Sequence, residues 1–96
     1  MTLKEIRQSV ANGNLSLILV NKFGDTANTT LKRFYVKADT AHMTWNVVGN
    51  VDIRFSLTHA ALYTNKNLVT VFKLTAPLNI ESTHTITTVN IDWSQA

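Results

Sequence analysis

Residues 15–22 read LSLILVNK, and apolar side chains fall on both parities of the run, Leu15, Leu17 and Leu19 on one and Ile18 and Val20 on the other. A strand sends successive side chains to opposite faces, so a strand with one wet face shows only one apolar parity. This run is therefore expected to be a strand covered on both faces. The natural cover lies just upstream. Thr2 followed by Glu5 makes a capping box, with Met1 and Ile6 in the staple positions, so a helix should begin at Leu3. Leu3, Ile6 and Val10 form one narrow apolar stripe, Lys4, Arg7 and Gln8 lie off it, and Gly13 stands where a left-handed C-cap belongs. The helix should end near Asn12 and lie on the sheet.

Ninety-six residues make one domain, 1–96, too short to hide a second core or a cofactor domain. Charged residues are 16% of the chain and hydrophobic ones 45%, against roughly 25% charged in an ordinary soluble domain. Thr and Asn, about a quarter of the chain, supply the missing polar surface. Thr favours strands and Asn favours turns, which is a β-rich signature. The net charge of +3 permits contact with an anionic partner without requiring it. With no cysteine there is neither a disulfide framework nor thiolate chemistry. No apolar run approaches a membrane span and no signal-peptide pattern is present, so a soluble cytoplasmic chain without a membrane partner is expected.

Downstream of the opening run, Phe23-Gly24-Asp25 should turn the chain and residues 27–30 should form a polar connection. Residues 31–38 fit a strand or a helix, and the Phe-Tyr-Val centre favours strand. Further strands are expected over 41–47, 51–58, 67–76 and about 83–93. One helical turn over 59–65 is expected behind Thr58. Pro77, the single proline, should mark the connection before the last run, where a phase slip suggests a bulge near Thr87-Thr88. The fold expected is β-rich α+β, an N-terminal helix on an antiparallel sheet of five or six strands, meander-like.

Register follows from parity. In NVVGNVD, residues 46–52, a two-residue Gly49-Asn50 turn would aim one strand's apolar set into the core and the other's into water. A three-residue loop instead sets Val47 opposite Val51, Trp45 opposite Ile53 and Met43 opposite Phe55, all on one face. At about 25 cal/mol per Å² of apolar burial, that preference outweighs any turn preference. A loop around Asp39-Thr40 would add Phe34 opposite Trp45 and Val36 opposite Met43, leaving Lys32 on the core parity with only snorkelling to reach water. The outward face then carries Arg33, Tyr35 and Lys37, then His42, Thr44 and Asn46, then Asp52, Arg54 and Ser56.

A basic stripe with one tyrosine is a surface on which single-stranded nucleic acid can stack and track its phosphates, though any solvated sheet face shares that look. His42, His59 and His84 stand on separate elements without metal-ligand spacing, so no metal site is expected. No serine sits in a nucleophile motif, no carboxylates pair by spacing, and three glycines cannot build a phosphate loop. Neither a catalytic residue nor a cofactor is expected. Trp45 and Trp93 fall on the apolar parity, where large aromatics belong to the core. The last run carries few charges and, at a sheet edge, could add to another chain. The chain is expected to be a non-enzymatic interaction module, acting by protein contact or self-association through a sheet surface or edge. The second expectation is single-stranded nucleic-acid binding, and the third is a small virion-type or mobile-element protein of structural or inhibitory role. Candidate binding residues are Arg33, Tyr35, Lys37, His42, Thr44, Asn46 and Arg54.

Overall fold

Thr2 and Gly13 bracket the first element as their chemistry requires. In the computed structural model, which describes residues 2–47, 56–78 and 87–94, α1 spans Leu3–Ala11. The Thr2 hydroxyl accepts the Glu5 amide and donates to the Glu5 carboxylate, each at 3.2 Å. At the other end Gly13 takes φ +71, and the Gly13 and Asn14 amides donate back to Val10 and Ser9 at 3.2 and 2.8 Å, a Schellman closure.

Six antiparallel strands follow: β1 (Leu15–Val20), β2 (Thr26–Lys37), β3 (Thr40–Val47), β4 (Leu57–Thr64), β5 (Asn67–Leu78) and β6 (Thr87–Ser94). They form one sheet in the order β5-β4-β1-β2-β3-β6, curled nearly into a barrel with the helix against it. The β-rich α+β architecture is thus the one that composition and parity imply. Two hairpins close on two-residue turns, Ala38-Asp39 and Asn65-Lys66, all four residues at positive φ. Such left-handed pairs match the twist of the strands they join.

The core is made by one face of every strand. Leu17, Leu19, Met43, Trp45, Leu57 and Leu62 are the largest fully buried strand residues, and Ile6 of α1 joins them. Here the first expectation is corrected. The helix packs on the inner side with Leu17 and Leu19, while Ile18 and Val20 remain half-exposed on the outer face. A nine-residue helix with one narrow stripe has a single face to bury, and the interior of the curled sheet takes it.

The local registers also differ in detail from the parity reading. The β2–β3 turn falls one residue earlier than expected, so Phe34 faces Met43 and Val36 faces Ala41. A two-residue loop preserves facing wherever it is centred, so the inside set is unchanged. A bulge between Leu31 and Arg33 takes up Lys32, which is exposed, so no snorkelling is needed. Residues 26–30 are strand rather than connection, with Thr26, Ala27 and Asn28 pairing to β1.

The neighbour of β3 is the larger correction. The positions expected for Ile53 and Phe55, opposite Trp45 and Met43, are held by Val89 and Ile91 of β6 on one side and by Leu31 and Phe34 of β2 on the other. Val47 faces Thr29 and Thr87. The 48–50 loop and Val51 lie outside the described residues. Residues 57–64 form β4 rather than a helical turn, because His59–Thr64 is captured along its length by β1. No register shift interrupts β6 from Thr87 on, and the residues before Thr87, where the phase slip near Thr87-Thr88 would begin, lie outside the described residues. Pro77 lies near the end of β5, an outermost strand, the place in a sheet where proline is tolerated.

Candidate functional site

The outer face of β2, β3 and β6 brings together six of the seven sequence-derived binding residues. Arg33, Tyr35 and Lys37 are exposed on β2, and His42, Thr44 and Asn46 stand half-exposed beside them on β3. Arg54 and Asp52 lie outside the described residues. The register sets Tyr35 across from His42 and Arg33 across from Thr44. The Tyr35 and His42 rings stack with centroids 4.8 Å apart, and the Arg33 guanidinium lies 4.9 Å from the tyrosine centroid.

Two polar neighbours on this face were missed because the wrong third strand was placed beside β3. Asp92 faces His42, whose Nδ1 lies 2.8 Å from the carboxylate, and Asn90 accepts the Thr44 hydroxyl at 2.8 Å. Parity within β6 contained the signal, since Val89, Ile91 and Trp93 inside leave Asn90 and Asp92 outside. The polar side chains of this face answer one another across the ladder, and such cross-strand pairs are each worth about 0.2–1 kcal/mol. Asn46 is not answered in this way, its Oδ1 being shielded without a hydrogen-bond partner.

The outer face of β1, β4 and β5 is built differently. Its cross-strand rows are Ser16–Tyr63–Leu68, Ile18–Ala61–Val71 and Val20–His59–Lys73. Leu68 is 56% and Val71 49% exposed, yet Ala61 is 6% exposed because its larger neighbours overhang it. Beside Ile18 and Tyr63, at the helix-proximal end of β1, lies a depression of about 430 Å³ also edged by Gly13 and Lys66. Phe23, 56% exposed, occupies the turn at the opposite end of β1. Asn21 shapes that turn: its side-chain oxygen accepts the Phe23 and Asp25 amides and its side-chain nitrogen donates to the Asp25 carboxylate.

Between the two ends of the sheet a groove of about 900 Å³ opens, walled by α1, the start of β5 and the end of β6. Trp93 lines it. Trp45 is the core residue its parity implies, at 1% exposure, whereas Trp93 packs on the core and also reaches this groove.

Among the described residues, no three histidine, cysteine or acidic side chains gather as a metal group, and no helix is long and apolar enough to cross a membrane. No family model matches the chain. No curated protein and no solved structure matches it either.

Proposed function

We propose that the protein is a non-enzymatic interaction module that binds a second copy of itself through the outer face of β1, β4 and β5. The observation that carries this is the Ile18–Ala61–Val71 row, an apolar strip on the outside of the sheet that no other described element covers. Contiguous apolar surface of this kind marks association sites. Its neighbouring rows hold a single formal charge, Lys73, as suits the charge-depleted centre of an interface.

A second copy is the occupant because β1 carries a projecting ring at one end, Phe23, and a depression at the other, beside Ile18 and Tyr63. Two copies laid antiparallel along β1 would bring each Phe23 toward the other's depression. Such a contact is isologous and closes at two. Sedimentation at two protein concentrations tests it: the wild type should dimerise, and the double variant Ile18→Lys, Val71→Lys should stay monomeric with its fold intact. A wild type that remains monomeric at several hundred micromolar overturns the reading.

A second reading draws on the Tyr35–His42 stack, which supplies two rings rather than the one visible in sequence, beside the cations Arg33 and Lys37. Stacked rings among cations suit single-stranded nucleic acid. Asp92 at the end of the stack opposes phosphate, which ranks this reading second. It requires that Arg33→Glu with Lys37→Glu abolish low-salt oligonucleotide binding, and a wild type that binds none removes it.

A further inference from the structure

The groove between β5 and β6 has a lining rich in side-chain amides. Side-chain amides from three separate places line it: Gln8 from α1, Asn12 and Asn14 from the helix exit, and Asn65 and Asn67 from the β4–β5 turn and the start of β5. Among the described residues none of these five side chains makes a hydrogen bond within the protein. Each offers two donors and one acceptor oxygen. Trp93 adds an indole whose body packs on the core.

The wall made by α1 and the β4–β5 turn is braced. The Asn65 amide donates to the Asn14 carbonyl at 3.0 Å, tying the turn to the helix exit, and the Ser9 and Thr64 hydroxyls bond to each other at the floor. Groups held on braced backbone are already oriented before a ligand arrives, which lowers the entropic cost of binding.

Charge narrows the ligand class. Among the described residues no lysine or arginine lines this groove, and the one ionisable lining residue is the acid Glu5. Phosphates, sulfates and carboxylates therefore have no counter-charge here. What matches a set of amides and hydroxyls beside an indole is an uncharged molecule rich in hydroxyls with an apolar C–H face. We propose that this groove is a binding site for a neutral saccharide, its hydroxyls exchanging hydrogen bonds with the amides and one sugar ring lying against Trp93. The groove adjoins the outer face assigned to self-association, sharing Asn14, Asn65 and Leu68 with it, but Gln8, Asn12 and Trp93 belong to the groove alone, so tests at those three residues read the groove without touching the other face.

The experiment is amide-resolved NMR of the full chain with maltohexaose, cellohexaose and chitohexaose at millimolar concentration. At least one should shift the side-chain NH₂ signals of Gln8, Asn12 and Asn67 together with the Trp93 indole N–H. Trp93→Ala should weaken that binding at least about tenfold. Because Trp93 also packs on the core, Gln8→Ala serves as the second variant. It sits on an exposed helix position, should leave the melting temperature unchanged and should weaken binding severalfold. No shift at these groups with any of the three sugars overturns the proposal. So does binding that Gln8→Ala and Trp93→Ala leave untouched, or equal shifts with an oligonucleotide.

Discussion

The two halves of the outer surface share one sheet and one inside, and they differ in whether their side chains satisfy each other. On β2, β3 and β6 the row Tyr35–His42–Asp92 is held together by stacking and the His42–Asp92 contact, Thr44 bonds to Asn90 across the ladder, and Arg33 lies over the Tyr35 ring. On β1, β4 and β5 the row Ile18–Ala61–Val71 offers apolar area that no described element meets on the outer side. The charged cluster that looks most functional in sequence has spent much of its chemistry internally. The plain aliphatic strip has not, and surface with unmet chemistry is where a partner gains most.

The largest expected effect tests that β1 really has one inside. Leu19→Ala should cost about 2–5 kcal/mol by urea denaturation, since Leu19 is fully buried, whereas Val20→Ala should cost under about 1 kcal/mol. Equal costs would mean that both faces are covered within one chain. Next, Ile18→Lys with Val71→Lys should weaken self-association at least about 100-fold, about 3 kcal/mol, in analytical ultracentrifugation while the same pair barely moves the unfolding midpoint.

A smaller effect compares the turns that close the two halves. Lys66 and Asp39 each hold a left-handed conformation, at φ +70 and +67. Lys66→Gly and Asp39→Gly should each stabilise by about 1 kcal/mol, read as a rise of about 4–8 °C in thermal melts. The smallest is a double-mutant cycle on His42→Ala and Asp92→Ala, expected to give a coupling of about 0.2–1 kcal/mol in the polar half. A coupling of zero would show that half to be as unsatisfied as the other and would erase the contrast.

Much of this was legible in residues 1–47. The capping pair Thr2 and Glu5, the Gly13 stop and the outward set from Arg33 to Asn46 all follow from spacing alone, because helix caps and strand parity are local rules. The choice of neighbour for β3 was not. Val89 and Ile91 alternate as Ile53 and Phe55 do, so parity fits either strand, and long-range pairing leaves no further mark in a single sequence. Residues 59–64 misled for another reason: Ala60, Ala61 and Leu62 are good helix formers that tertiary pairing overrides. The groove was invisible because its amides come from positions 8 to 67, which only the closed fold brings together.

Lys32 carries a last consequence. Inner positions on β2 are odd up to Leu31 and even from Phe34 on, and the bulge at Lys32 is where the count changes. Its identity is therefore nearly indifferent, while its presence is a matter of spacing. The strand reads as a regular one with a single inserted residue. Deleting Lys32 would leave every other side chain on its own face and remove the kink that bulges impose. Chain length at this place, rather than the side chain it carries, sets the local bend and twist of β2.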